Sequence, residues 1–335
     1  MPDVSGYGGE YGTVTSLSVV VPCFNEADNI IPGYREIVDE LAGDLDLELI
    51  YVDDGSTDRT LDTIKELAAR DPRVHFLSFT RNYGFEAAFS AGYRYARRPW
   101  ILHLDADQQF PAAEARRLIA AADGGLDAVF GVRVQRRDPA SRRLATGLFQ
   151  IIARGLLRIE LPPGATAFRL VRSDLAREVV GLRLGTPYFL ATVPRLTNRY
   201  GVVPVAHRPR VRGRSKVRVR ALARHAVELF IGHSSRPSTA TSVLALTVAL
   251  TALGLALGVG LGGLGVRAAL AAVLVVLAVV LLGTAFLARM LLAVSAGQPR
   301  PRLYYVREAN LPVDAADLLC GPIVGDAAGS SVSAA

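Results

Sequence analysis

The chain has 335 residues, 50% of them hydrophobic, with 38 Lys and Arg against 31 Asp and Glu for a formal net charge of +7. That is too apolar for an ordinary soluble domain and too charged for a chain lying wholly in lipid, so one domain of roughly 200 residues plus extra elements is expected. The two cysteines, Cys23 and Cys320, lie far apart and offer neither a disulfide framework nor a CxxC metal site, and the five histidines show no metal-ligand spacing.

Residues 1–16 hold Asp3, Glu10 and several glycines but no apolar run, so they predict a disordered N-terminus and no signal peptide. From Leu17 to residue 220 a single α/β domain is expected. "LSVVVPCF" reads as a strand, and "NIIPGYREIVDELAG" as a helix with Ile30, Tyr34, Ile37, Val38 and Leu41 on one face. "LELIYVDDGS" and "DRTLDTIKELAARD" repeat the pattern. "VHFLSFT" with "GFEAAFSAGYRYA" repeats it again, before a fourth strand, "WILHLDAD". Strands alternating with helices predict a parallel sheet covered on both faces, with ligands at the carboxyl ends of the strands. Polar residues fall at those ends each time: Asn25 and Glu26, Asp53 and Asp54, Arg81 and Asn82, Asp105 and Asp107. Ser56, Thr57 or Asp58 also suits the cap of the second helix.

In "LHLDADQQFP", Asp105 and Asp107 are two residues apart, so on an extended chain they project to one side. Close carboxylates raise each other's pKa unless a cation neutralises them. Oxygen donors without His or Cys favour Mg2+ or Mn2+, held by one or two carboxylates with the rest supplied by water and a phosphate-bearing substrate. The competing reading is a solvated Asp-rich turn. Placement after a buried strand, with "VDDGSTD" ending another, favours the metal.

"SVVVPCFNEADNI", "YVDDGSTDRT", "RNYGFEAAFSAGY" and "LDADQQFP", in this order, resemble the successive motifs of family 2 glycosyltransferases, and most nearly the polyprenyl-phosphate glycosyltransferases. The resemblance runs from about Leu17 to Glu308. It implies a GT-A fold, Rossmann-like, that binds a nucleotide sugar (a UDP- or GDP-hexose) through Mg2+ or Mn2+. It implies that Pro22, Asn25, Glu26, Asp53, Asp54, Arg81 and Asp105 line the nucleotide-sugar pocket, joined by Arg214 and Lys216 of "RGRSKV". Asp105, Asp107 and Gln109 match the metal-binding triplet, and Asp105, Asp107, Arg133 and Arg169 the catalytic set. "VRVQRRDPASRRLAT" looks like the acceptor-phosphate segment, with Arg133, Arg136, Arg142, Arg143 and Thr146 at matching positions. The chain departs from the family where Phe85 and Glu86 follow Gly84 without the common lysine, and where Ala167 replaces an acid before Phe168 and Arg169.

The segment after the fourth strand is basic. Leu144, Leu148, Ile151, Ile152, Leu156 and Ile159 recur at helical spacing among Arg142, Arg143, Arg154 and Arg158, giving an amphipathic basic helix. "HRPRVRGRSKVRVR" carries Arg208, Arg210, Arg212, Arg214, Lys216, Arg218 and Arg220, and an amphipathic juxtamembrane helix is expected over 221–238. Such stripes could mark a solvated surface or a nucleic-acid interface. They lead into apolar runs and lack interleaved aromatics, so a surface that gathers anionic lipid phosphates is expected and nucleic acid is not. A sugar hydroxyl needs a general base, whereas a phosphate monoester is already largely ionised at pH 7. From Gly185 to Val205 there is no Asp or Glu, and the only tryptophan is Trp100. A lipid phosphate attacking the anomeric carbon needs no such base; inversion is implied by the resemblance.

Residues 242–266 and 268–288 are uncharged and each long enough to cross a bilayer. With only Arg267 between them and arginines outside, they predict a two-helix transmembrane hairpin in the inner membrane, with the catalytic domain cytoplasmic. Residues 289–320 resemble the family's segment that returns to the catalytic domain, and 321–335 read as a disordered tail. The family precedent allows a homo-oligomer, a tetramer. Two other functions stay open: a hydroxyl-directed membrane glycosyltransferase, and a non-catalytic scaffold with a GT-A fold.

Overall fold

The computed structural model describes residues 13–133, 161–182, 189–208, 265–294 and 302–319, with four isolated positions between 247 and 254. Among them the strands are β1 (Ser16–Cys23), β2 (Asp46–Asp53), β3 (Val74–Phe79), β4 (Trp100–His103), β5 (Ala128–Arg133), β6 (Ala165–Arg172), β7 (Tyr200–Val205) and β8 (Val306–Ala309). The helices are α1 (Ala27–Leu41), α2 (Thr60–Ala68), α3 (Phe85–Tyr95), α4 (Ala115–Asp123), α5 (Ser173–Gly181), α6 (Phe189–Leu196) and α7 (Val266–Val294). All eight strands join one sheet in the order β7-β5-β6-β4-β1-β2-β3-β8.

The sheet is mixed, which corrects the all-parallel expectation. β1 runs parallel to β2 and β4, and β2 to β3. β6 inserts antiparallel between β4 and β5, and β8 pairs antiparallel with the free edge of β3. β7 is parallel to β5, so the carboxyl ends of β1 to β5 and of β7 share one edge of the sheet. The chain reverses its strand order between β1 and β4, and such a reversal opens a crevice for ligands.

Strand burial explains the near-continuous apolar runs: both faces are covered, so alternate residues go to different cores. Val19 and Val21 of β1 pack with Ile30 and Ile37 of α1 and Ile64 of α2. Val20 packs on the other face with Ala88 of α3, Ala176 of α5 and Val193 of α6. The fold begins before Leu17, because Val14 is buried and its N–H donates to Asp123 Oδ1 at 2.8 Å. At the other end β8 is fixed by Asp317, a buried carboxylate. It accepts from Tyr95 Oη at 2.6 Å and Tyr304 Oη at 3.3 Å, and pairs with Arg302 and Arg94.

β4 ends at His103 rather than continuing through Asp107. Gln108 adopts φ 55° and donates its N–H to the Asp105 carbonyl at 3.3 Å, so the two carboxylates sit on a turn and not on an extended chain. α7, 29 residues long, covers the stretch 268–288 expected as the second arm of the hairpin. The first arm lies largely outside the described residues, as do several α7 side chains, and the two-helix hairpin is not seen. Among the described residues no helix is long and apolar enough to cross a membrane. The amphipathic helices expected around 144–159 and 221–238 also lie outside the described residues.

α3 lies on the sheet at Gly92, where a Cβ would fall far inside van der Waals contact with Val20 Cγ1. Gly92→Ala gains about 1 kcal/mol of helix propensity but overpacks this contact at about 1–3 kcal/mol. A net loss of stability is expected in a denaturant titration; an unchanged or higher midpoint would mean that α3 slides freely on β1.

Candidate active site

The loops after β1, β2 and β3 are tied to each other by side chains reaching backbone. Asn25, at φ 54°, donates its N–H to Ser56 Oγ at 2.9 Å and accepts from Thr57 N at 2.8 Å through Oδ1. Glu26 N–H donates to Thr60 Oγ1 at 2.9 Å, and Asp58 accepts from Thr60 N at 3.0 Å. Asp53 is fully buried and spends its carboxylate on Ser56 N at 3.1 Å and Ser78 Oγ at 2.8 Å. Asp54 accepts from Tyr83 N at 2.6 Å and Gly84 N at 2.9 Å, which holds the loop leading into α3. Gly55, at φ 68°, leaves no room for a Cβ against the Arg81 backbone. Of the six residues expected to line the pocket from these loops, Arg81 is the exposed one, its guanidinium 4.2 Å from the centroid of the Tyr83 ring. Pro22 lies on β1 beside Val52. Asp53 and Asp54 thus shape the rim and have little left to offer a ligand.

Across the crevice stands the turn with Asp105, Asp107 and Gln109. The Asp105 side chain is 29% exposed. Burial pushes its pKa up, but the facing His103 ring and the charges of Arg169 and Arg133 outweigh that and hold it below the usual carboxylate range. Asp107 Oδ1 accepts from Gln109 N at 3.2 Å, and the Gln109 carbonyl accepts from Arg208 N at 2.8 Å. The turn is anchored underneath by Gln108 Nε2, which donates to the Asn29 carbonyl at 2.9 Å. A small cavity behind it is lined by apolar groups such as Ile30, Ile37, Leu104 and Phe110 and does not suit a nucleotide.

Arg133 ends β5 at the same edge, 5.6 Å from the Phe110 ring centroid, with its Nε buried and unpartnered. Arg169 is not open to a ligand: it is 3% exposed, and its guanidinium lies among the rings of Phe89, Tyr93 and Phe189 at 4.8, 5.3 and 4.2 Å. Arg136, Arg142, Arg143, Thr146, Arg214 and Lys216 lie outside the described residues. Two histidines escaped the sequence reading. His207, just after β7, meets the edge of Phe110 at 5.2 Å and has a buried, unpartnered Nε2. Burial and then the charge of Arg133 lower its pKa, against a smaller pull from Asp107. His103 is fully buried beside Asp105, and its pKa falls to about 4, chiefly by burial. The signal for His103 was a lone polar residue inside "WILHL".

Among the described residues no group of three His, Cys, Asp or Glu side chains is close enough to hold a metal by itself. The turn offers two carboxylates, one of them partly exposed and held in its charged form. That donor set fits a hard cation that completes its shell from water and phosphate.

A mixed sheet with ligand loops at one edge and a carboxylate turn at the strand-order reversal defines a GT-A glycosyltransferase fold. Residues 18–180 match the family described as glycosyl transferase family 2, and the protein is a glycosyltransferase. The chain is 29% identical over 245 residues to an undecaprenyl-phosphate 4-deoxy-4-formamido-L-arabinose transferase of Edwardsiella ictaluri, covering 72% of this chain and 75% of that one. It superposes on a mycobacterial protein of known crystal structure with TM-score 0.50 and 21% identity, over 65% of this chain and 75% of the other. The Pyrobaculum calidifontis mannosyltransferase, solved with GDP-Man and Mn2+, matches at TM-score 0.46 and 18% identity over 84% and 85% of the two chains.

For Asp54, burial outweighs its two N–H bonds and raises the carboxyl from 3.8 to about 6. Between those values the folded protein keeps a proton that the unfolded chain releases, so this group makes stability fall as pH rises through that window. Asp54→Asn removes the ionisation and is expected to flatten that part of the curve. Denaturation midpoints measured over the window check this, and an identical slope in the variant would assign it to another group.

Proposed function

We propose that the protein transfers a hexose from a nucleotide sugar to the phosphate of a polyprenyl phosphate, giving a lipid-linked monosaccharide for the cell envelope. The observation that carries this reading is Arg133. It ends β5 at the same edge as the turn, 5.6 Å from the Phe110 ring centroid and with its Nε buried and unpartnered among the described residues, so a cation stands where a hydroxyl-directed enzyme would need a base. The similarity to an undecaprenyl-phosphate sugar transferase over three quarters of that relative supports it. So does α7, which exposes Leu274, Val275, Leu281 and Leu282 at 59%, 65%, 60% and 72%, as a helix that belongs in lipid would. On this reading α7 and residues 242–266 form the membrane hairpin, with the catalytic domain on the cytoplasmic side.

The loops after β1, β2 and β3 take the nucleotide, with Arg81 on its rim. Asp105 and Asp107, with Gln109 from the same turn, would hold Mg2+ or Mn2+, which when bound neutralises the charge of the leaving nucleoside diphosphate. Arg133, with Arg136, Arg142, Arg143 and Thr146, orients the lipid phosphate, and Arg214 and Lys216 reach the donor diphosphate. An oxygen of the lipid phosphate attacks the anomeric carbon as the bond from that carbon to the diphosphate breaks. No proton has to leave the nucleophile, and the anomeric configuration inverts. A second reading has one observation in its favour: His207 is biased toward the neutral form and lies close enough to the turn for its pKa to respond to Asp107, where it could serve a hydroxyl acceptor as base.

Asp107→Asn is expected to lower transfer by about a hundredfold or more while the protein stays folded, and EDTA should silence the wild type. Activity assays with and without chelator decide it, and indifference to both changes would remove the metal role. The product should be a monosaccharide joined to the lipid through one phosphate. Mass spectrometry of lipid extracted after incubation with labelled nucleotide sugars reads this directly, and a sugar joined to a sugar hydroxyl would favour the His207 reading.

A further inference from the structure

Three polar side chains lie buried in a row behind Asp105. Arg169 of β6 and His103 of β4 are cross-strand partners, and Tyr93 of α3 lies over both. Arg169 Nε donates to Tyr93 Oη at 2.6 Å, and Tyr93 Oη lies 3.1 Å from His103 Nδ1. His103 Nε2 is buried, has no hydrogen-bond partner, and faces Asp105 Oδ1 at 3.6 Å, just outside bonding range.

The tyrosine hydroxyl has one proton, and Arg169 already occupies one of its lone pairs. Sending that proton to His103 Nδ1 satisfies the tyrosine hydroxyl and places the imidazole proton on Nε2, toward the carboxylate. The opposite tautomer would leave the tyrosine proton without an acceptor among the described residues. It would also turn a bare nitrogen lone pair toward Asp105. Arg169 Nε, the tyrosine hydroxyl and the imidazole Nε2–H then donate in one direction, from guanidinium to carboxylate, while Arg169 Nη2 has no partner among the described residues. The guanidinium at the head of the row has no carboxylate partner of its own among the described residues and lies among three aromatic faces, which replace part of its hydration.

We infer that His103 is a positioning residue, held by Tyr93 and Arg169 with Nδ1 accepting and a proton on Nε2, which steadies one oxygen of Asp105 and leaves the other to the donor's cation. This rests on the proposed role of Asp105 as a ligand of that cation. Arg169 then acts through Tyr93 and His103 and does not touch substrate.

The test uses the full chain in detergent with two readouts. Long-range 1H–15N spectra of 15N-histidine-labelled protein, with His103 assigned from its loss in His103→Gln, should show the Nε2–H tautomer. Tyr93→Phe should lose that single tautomer. Mn2+ titrated in the presence of UDP, and in a parallel arm GDP, should bind His103→Leu about 10–100-fold more weakly than wild type. His103→Gln should recover most of the loss, because its amide N–H sits near the position of Nε2–H. If His103→Leu does not fold, the milder Tyr93→Phe carries the titration, with a smaller loss in the same direction. An Nδ1–H tautomer in the wild type overturns the inference. So does unchanged Mn2+ affinity in both His103→Leu and Tyr93→Phe. A wild type that binds no Mn2+ with either nucleotide sinks the metal reading instead, and the tautomer then decides His103 alone.

Discussion

A carboxylate at the end of a buried strand has to be kept charged, and much of the site follows from how that is done for Asp105. Water reaches only part of it, so burial alone would favour the neutral acid. What opposes this is first the facing His103 ring, then the charge of Arg169 on the adjacent β6 and that of Arg133 on β5 beyond it. The insertion of β6 between β4 and β5 makes this possible. An all-parallel sheet would have no strand there to bring Arg169 level with His103.

The opposite wall of the crevice is built on another rule. Its carboxylates are inward-facing struts, and its flexibility is removed by bonds between loops distant in sequence. Asn25 reaches across to Thr57, Asp54 to Gly84, and Asp53 to Ser78. A pocket assembled this way is formed before its ligand arrives, which lowers the ordering cost of binding.

Much of the fold was legible in the sequence because both faces of the central strands are covered. Runs such as "LSVVV" and "ELIYV" admit few alternatives between amphipathic helices of regular spacing. The strand-end residues were legible for the same reason. Three features were not. β6 was hidden because "ATAFRLVR" was read for its motif and not for its burial. The turn at Asp105 was hidden because the left-handed conformation falls on Gln108, a residue that gives no such warning. The divided roles of neighbouring carboxylates were hidden because Asp53, Asp54, Asp105 and Asp107 look alike on the page. Only burial separates a strut from a ligand.

The sheet ends in β7 on one side and β8 on the other, and all of the proposed membrane segment lies in the chain between them. With strands about 4.8 Å apart, eight of them place those edges roughly 34 Å from each other. On the proposed reading the chain would therefore leave the sheet for the bilayer at one edge, beyond β7, and rejoin it at the other, at β8, where Asp317 clasps it: two points of attachment and not one.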